Sequence, residues 1–316
     1  MTCCKELHHQ INTEPKVFEI SDFWEEAENI RTFVFKGTLN SKPGQFCMLW
    51  VPGVDEKPFS IARDYDGEIW LTICKVGPAT EKLFEMKKED KVGLRGAFGH
   101  GFTILNSALT PNPSSKGRGK KVILVGGGYG TAPLHFTATE HKKNGCDVTM
   151  IIGARTENLL IWTDKCEASG FRTLIATNDG SRGIEGFTTH VLADLFDKEG
   201  HIDLVQTCGP EKMMKVIAEM CVQKDIPCEV SIERYMKCGF GVCGQCVTES
   251  GEKMCQTGPC VSAQKALSYS DFGSYHRGSE GQRINWGGEN FIATSKKDDI
   301  HLCLSDPASA GEESSL

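Results

Sequence analysis

Four cysteines, Cys238, Cys243, Cys246 and Cys255, stand in the order Cys-x4-Cys-x2-Cys-x8-Cys, the plant-type spacing for the ligands of a [2Fe-2S] cluster. Between and beside them Gly239, Gly241 and Gly244 let the backbone curl tightly and turn amide N–H groups toward cluster sulfurs. A structural zinc site is the alternative. Zinc modules usually offer separated Cys-x2-Cys pairs, however, and here the first gap is four residues. Cys260 follows Cys255 by five residues and could substitute as fourth ligand, although the spacing favours Cys255.

A second chemistry is suggested by Gly126-Gly127-Gly128-Tyr129-Gly130, which follows the apolar run Val122-Ile-Leu-Val125 and precedes a helical stretch. A strand, a bare glycine turn and a helix N-terminus together can receive a pyrophosphate. The motif is not Gly-x-Gly-x-x-Gly, because Thr131 takes the last glycine position, and a tight turn without ligand would also select glycines. Lys57-Pro-Phe-Ser60 offers a cation and a hydroxyl on a segment that Pro58 keeps extended; taken alone it also reads as an ordinary edge strand.

Other residues carry weaker signals. Arg155 could meet a ribose or a 2′-phosphate, or simply face solvent, and Asn178-Asp-Gly-Ser181 reads as a plain turn. His100 could hydrogen-bond a ligand or the linker. His276 and Arg277 could pack on the cluster segment or meet a partner. Cys3, Cys4, His8 and His9 could bind a metal or belong to a mobile terminus. Cys47, Cys74 and Cys166 read as small core hydrophobes.

The elements that must position these groups fall into distinct stretches. Residues 1–16 form an N-terminal extension. Over residues 17–105, short β-rich runs such as Phe46-Cys-Met-Leu-Trp-Val51 and Ile69-Trp-Leu-Thr-Ile-Cys74, punctuated by Gly and Pro, predict a small antiparallel barrel. One helix is expected from Ala79 to Met86, with Thr80 as cap. Residues 106–120, rich in Pro, Ser and Gly, read as a linker. From 121 to 230, strand and helix alternate, predicting an open parallel sheet with helices on both faces. The fold class is therefore β plus α/β, with a small iron-sulfur domain over 231–262. A C-terminal extension follows over 263–316, whose last dozen residues are too polar to order themselves.

With 316 residues there is room for two domains, and a net charge of −7 gives no basic footprint for nucleic acid. No apolar run approaches the ~20 residues needed to span a bilayer, and the N-terminus lacks the apolar core of a signal peptide. The expectation is a soluble, cytoplasmic protein without membrane contact. Fifteen cysteines in such a chain indicate metal ligation and buried thiols rather than disulfides.

Taken in order, Gly44-Gln-Phe46, Lys57-Pro-Phe-Ser60, Lys75-Val-Gly-Pro-Ala-Thr80, Gly96-Ala-Phe-Gly-His-Gly-Phe102, Gly126-Gly-Gly-Tyr-Gly130 and Cys208-Gly-Pro210 resemble the motifs of ferredoxin-NADP reductase-like flavoproteins. With the cysteine loop, the chain resembles the electron-transfer subunits of B-type dihydroorotate dehydrogenases over about residues 17–261. The resemblance implies FAD on the barrel. Lys57, Pro58, Phe59 and Ser60 would line the flavin and its phosphates, and the backbone of Cys74, Lys75 and Val76, with Ala79 and Thr80, would complete the site. It further implies NAD(P)H at Gly126, Gly127, Gly128 and Gly130, with Cys208 and Gly209 at the nicotinamide end. For Cys208, a buried strand-end thiol is an equal reading. Lys57 stands where many relatives have arginine, and Ala79 where glycine is usual.

The same resemblance implies a relay. NAD(P)H gives two electrons as hydride, flavin takes both, and a [2Fe-2S] cluster passes them singly to an FMN-containing catalytic subunit in pyrimidine biosynthesis, in a heterotetramer. Hydride transfer to flavin needs no general base, so no catalytic acid–base residue is assigned. Two rivals remain open. One is a diaphorase-like subunit of a hydrogenase, sulfite reductase or NADH-ferredoxin transhydrogenase complex. The other is a non-enzymatic redox sensor or zinc-stapled binding module.

Overall fold

The structure is a computed structural model that describes residues 13–107, 119–278 and 283–285. Cys3, Cys4, His8 and His9, and the polar C-terminal residues from 286 onward, lie outside the described residues, as do the side chains of His276 and Arg277.

The N-terminal half contains β1 (Lys16–Ala27), β2 (Ile30–Lys36), β3 (Phe46–Val51), β4 (Asp55–Ser60), β5 (Arg63–Tyr65), β6 (Glu68–Cys74), α1 (Pro78–Glu85) and β7 (Lys91–Phe98). All strand pairings among them are antiparallel, in the order β4-β3-β7-β1-β2-β6-β5. β6 shows why the sheet has an inside: Ile69, Leu71 and Ile73 alternate inward while the residues between them stay partly exposed. Three strands separate β3 from β6 in the sheet, yet Leu49 and Leu71 share one buried cluster with Phe33, Phe35 and Leu94. The sheet therefore curls around its core as a barrel. α1 begins within one residue of the expected helix, but Thr80 caps it from inside the first turn. Its hydroxyl accepts from the amides of Val76 at 2.9 Å and Gly77 at 3.1 Å.

The second half contains β8 (Lys121–Gly127), α2 (Thr131–Lys143), β9 (Asp147–Ala154), α3 (Thr163–Ala168), β10 (Arg172–Thr177), β11 (Ile184–Glu185), α4 (Thr188–Lys198), β12 (Leu204–Cys208), α5 (Glu211–Gln223) and β13 (Cys228–Ser231). The strands pair in parallel in the order β11-β10-β9-β8-β12-β13. Alternate side chains of β8 face opposite layers: Ile123 and Val125 pack with α4 and α5 residues, whereas Val122 and Leu124 pack with α2 and α3 residues. This is the doubly wound arrangement, and the order reverses between β8 and β12, where ligands of such sheets dock at the C-terminal strand ends.

After the cysteine loop come α6 (Met254–Thr257), β14 (Cys260–Ser262), α7 (Ala263–Leu267), β15 (Tyr275–Arg277) and β16 (Arg283–Asn285). β14 adds antiparallel to β13, making the sheet mixed. Ala263, Ala266, Tyr269 and Phe272 join the core beneath α5. The residues after 262, which stand apart in the sequence as an extension, thus cover one end of the sheet. No long apolar run announces this, because the packing is done by spaced residues, two alanines and two aromatics.

Barrel and sheet meet along an aromatic seam. Trp70 packs against Trp24 at 5.0 Å and against Trp162 at 6.0 Å, and Trp162 Nε1 donates to Thr72 Oγ1 at 3.0 Å. Among the described residues no helix is long and apolar enough to cross a membrane.

Candidate electron-transfer site

The cysteine loop brings its thiols together as two pairs. Val242 and Cys243 donate their amides to Cys238 Sγ at 3.3 and 3.5 Å, and the Cys255 amide donates to Cys246 Sγ at 3.4 Å. Burial pushes the Cys238 thiol up, but hydrogen bonds from the Cys243, Phe240 and Val242 amides and the Cys243 side chain outweigh it and hold the group down at about 7. The hydrogen bond shared with Cys255 holds Cys246 down at about 6 and raises Cys255 in turn. Cys246 and Cys255 are buried, Cys243 is exposed. Among the described residues no three His, Cys, Asp or Glu side chains converge on one point. Two cysteine pairs, with backbone amides aimed at the Cys238 and Cys246 sulfurs, are a donor set that fits a binuclear cluster, one pair for each iron.

Cys260 is elsewhere. It sits on β14 with its thiol donating to the Gly44 carbonyl at 3.6 Å, and burial pushes it well above the ordinary thiol range. Gly239, at φ +79°, presses the loop onto the barrel: a methyl there would meet Phe98 at 3.0 Å and Met48 at 3.1 Å.

On the barrel, β4 carries Lys57, Pro58, Phe59 and Ser60 along the edge of the sheet, each half-buried, paired only with β3. Lys57 is ion-paired with Asp55 at 2.6 Å and lies 5.4 Å over the Tyr235 ring. Burial acts to lower it, yet Asp55 and Tyr235 together keep it above the ordinary lysine value. α1 packs beside β4, and Lys75 and Val76, which precede it, are exposed. Ala79 and Thr80 are buried beneath it. Lys75 also lines a groove of about 450 Å³ with Asn29, Arg31 and Phe84. An open strand edge next to a helix N-terminus fits an elongated ligand with phosphates. Cys74 differs from the core role expected of it: it is half-buried at the end of β6, while Cys47 and Cys166 are fully buried.

The glycine turn and Cys208-Gly209-Pro210 lie back to back at the switch point. Gly126, Gly127 and Gly130 are explained by close approach: a methyl on Gly126 would sit 2.8 Å from Thr131 Oγ1, one on Gly127 2.8 Å from Pro210 Cδ, and one on Gly130 against the Cys208 carbonyl. Gly128 takes φ +53°. Within this turn, Tyr129 donates its hydroxyl to Glu233 Oε2 at 3.0 Å. The charge of Glu233, then burial, then the nearby Cys208 and Cys74 thiols, raise the Tyr129 phenol well above its ordinary value. Burial also raises Glu233, against the pull of Tyr129 and Arg234, although the carboxylate keeps solvent contact. Cys208 is buried and pushed up to about 12, so it is a thiol. Tyr129 therefore stands at the junction of barrel and sheet, packed in one cluster with Cys74, bonded to Glu233 and close enough to Cys208 to feel its charge.

The iron-sulfur cluster binding domain of dihydroorotate dehydrogenase B, as a family, matches residues 233–266. A Methanocaldococcus jannaschii protein named "Probable dihydroorotate dehydrogenase B (NAD(+)), electron transfer subunit" is 40% identical over 272 residues, spanning 86% of this chain and 98% of its own length. A Methanothermobacter thermautotrophicus protein of the same name is 36% identical over 277 residues, with the same coverage of 86% and 98%. This chain belongs to the dihydroorotate dehydrogenase B electron transfer subunit family. Among solved structures, an NADH-dependent reduced ferredoxin-NADP oxidoreductase is similar at 27% identity and a TM-score of 0.69, over 79% of this chain and 89% of that one. Phthalate dioxygenase reductase shares the fold at 17% identity and a TM-score of 0.52, over 65% of this chain and 64% of that one.

In this electron transfer subunit family member, Arg155 is exposed at the end of β9 beside the Asn178–Ser181 turn, whose Asp179 accepts from the Ser181 amide at 3.0 Å. His100 acts through its backbone, accepting from the Cys260 amide at 3.3 Å. Sequence reasoning misses Tyr129 and Glu233, the latter two residues after β13 and just ahead of the cluster loop. It also misses Arg95, a buried arginine in the apolar strand Lys91–Phe98. A charge in an otherwise inward-facing stretch is the available signal, since such a residue must find buried partners.

Proposed function

We propose that this chain accepts electrons from NADH and delivers them through FAD and a [2Fe-2S] cluster to the FMN-containing catalytic subunit of a dihydroorotate dehydrogenase in pyrimidine biosynthesis, in a heterotetramer. When bound, FAD supplies the conversion from a hydride pair to single electrons that the cluster can carry. Cys238, Cys243, Cys246 and Cys255 hold the cluster. Lys57, Pro58, Phe59 and Ser60 support the flavin, with the backbone of Cys74, Lys75 and Val76 and with Ala79 and Thr80 at the phosphate end. Gly126, Gly127, Gly128 and Gly130 receive the dinucleotide pyrophosphate, with Cys208 and Gly209 at the nicotinamide. The Tyr129–Glu233 hydrogen bond borders the space where donor and flavin would meet.

The observation that carries this reading is the pairing of the four thiols on a loop seated directly against the flavin-side barrel. The naming of the relatives as electron transfer subunits supports a catalytic partner. Co-purification of the chain with its partner, followed by NADH-linked interconversion of dihydroorotate and orotate, tests the function. Purified holo-complex that reduces dyes with NADH but leaves orotate untouched would sink the pathway assignment while preserving the relay. The similarity to the ferredoxin-NADP oxidoreductase supports a transhydrogenase-type partner as a second reading, which identification of the co-purifying protein decides.

A further inference from the structure

Arg95 projects from β7 into the seam between the barrel and the cysteine loop, and its side chain is 7% exposed. Its Nε and Nη2 grip Glu56 at 2.6 and 2.5 Å, a two-point fork on the residue that immediately precedes Lys57 in β4. On the other side, Nη1 donates to the carbonyl of Cys238 at 2.7 Å and Nη2 to that of Lys237 at 3.3 Å. Phe98 and Phe240 flank the guanidinium at 5.6 and 5.5 Å. One planar cation thus ties the flavin-side strand to the backbone of the first cluster ligand, in surroundings that screen its charge weakly.

We propose that Arg95 is the positioning residue of the flavin-to-cluster step: its fork fixes the cysteine loop against β4, and its charge, balanced by Glu56, tunes the cluster. The inference rests on the cluster and flavin assignment made above. A lysine could supply the charge but not the four-point grip, because its ammonium is a point donor without the planar fork. A cation beside the site favours the reduced, more negative cluster, and the Glu56 carboxylate opposes it. Loss of either charge therefore moves the potential in opposite directions.

The test uses the full chain with its partner and cofactors, in Arg95→Gln, Arg95→Lys and Glu56→Gln forms. Potentiometric titration followed by electron paramagnetic resonance reads the cluster. Stopped-flow absorbance separates flavin bleaching by NADH from cluster reduction. Hydrogen exchange reads the amides of residues 237–243. Arg95→Gln is expected to disfavour cluster reduction about tenfold, a fall of about 59 mV for a one-electron couple. It should also slow cluster reduction by about tenfold or more, since a ~1 Å misplacement of reacting groups can cost ~100-fold, while flavin bleaching keeps its wild-type rate. Glu56→Gln should raise the potential. Arg95→Lys should keep the potential but quicken exchange at 237–243. Unchanged potential and exchange in Arg95→Gln overturn the proposal, as does unchanged exchange in Arg95→Lys should the glutamine variant fail to fold. A wild-type chain that takes up no flavin or iron defeats the functional reading instead; exchange in that chain still tests the clamp.

Discussion

Two glycine-rich loops in this molecule use the same residue for different physical reasons. In the turn after β8 Gly128 takes φ +53°, but Gly127 and Gly130 have φ of −119° and −64°, values open to any residue, and glycine is needed at those two because the Cys208–Pro210 turn packs against them. In the cysteine loop, Gly239, Gly241 and Gly244 have φ of +79°, +87° and +74°, a region that side chains avoid whatever the space around them. The first loop is a packing device that also leaves room at a sheet crevice. The second is a conformational device that aims amides at sulfur.

The largest separation between the two regions is expected from the thiols. Cys255→Ser should abolish the cluster, with iron, acid-labile sulfide and the visible spectrum all lost, whereas Cys260→Ser should leave all three intact because that thiol points to Gly44. Loss of iron in the Cys260 variant would reassign the fourth ligand. Next in size is the root of the cysteine loop, where Arg234 ion-pairs with Glu211 of α5 and with Asp271 at 2.9 Å, every side chain at most 5% exposed. One cation facing two carboxylates leaves an excess buried negative charge, and burial pushes Glu211 up to about 7 from 4.5 despite Arg234. The folded chain therefore keeps a proton that the unfolded chain releases. This contribution is complete below pH 4.5 and is lost as pH rises to about 7. At ~1.4 kcal/mol for each tenfold change in proton affinity it amounts to roughly 3 kcal/mol. Urea unfolding of wild type and Glu211→Gln across that range should show the difference between them changing with pH; a constant difference would mean that Glu211 is ionised throughout.

Much of this is readable in advance where one local rule decides the outcome. The 2-residue period of β6 and the strand-turn-helix signature from Val122 to Gly145 locate the barrel and the sheet, and the cysteine spacing finds the paired thiols. α4, which buries Val191, Leu192 and Leu195, escapes such a reading because it follows a glycine-rich turn without a clear start signal. The contacts that join the regions are hidden for a different reason. Arg95 meets Cys238 across 143 positions and Tyr129 meets Glu233 across 104, and no local period encodes such pairings. Cys74 reads as core because its neighbours in β6 are; its place at the strand end leaves it only half-buried.

The packing explanation for the nucleotide turn predicts a cost at Gly127→Ala of about 1–3 kcal/mol, the usual range for overfilling a packed site. The added methyl would enter contacts of 2.8 Å with Pro210 Cδ and 3.0 Å with Met213 Sδ. The Cys208–Pro210 turn must shift to relieve them, so the KM for NADH should rise while iron content stays at the wild-type value. A variant with normal thermal stability and weakened NADH binding would mean that ligand approach, not internal packing, keeps this position glycine.

The conformational explanation for the cysteine loop makes the smallest and cleanest prediction at Gly244. Nothing lies within 4 Å of a methyl placed there, so Gly244→Ala meets no steric obstacle and incurs only the left-handed backbone strain, about 1 kcal/mol. Melting temperature should fall by roughly 2–4 °C, with iron and sulfide retained. Asn tolerates positive φ better than Ala, so Gly244→Asn should recover part of the loss despite its larger side chain. If Ala and Asn are equally harmful, volume rather than backbone conformation governs the position, and the two loops would then use glycine for one reason rather than two.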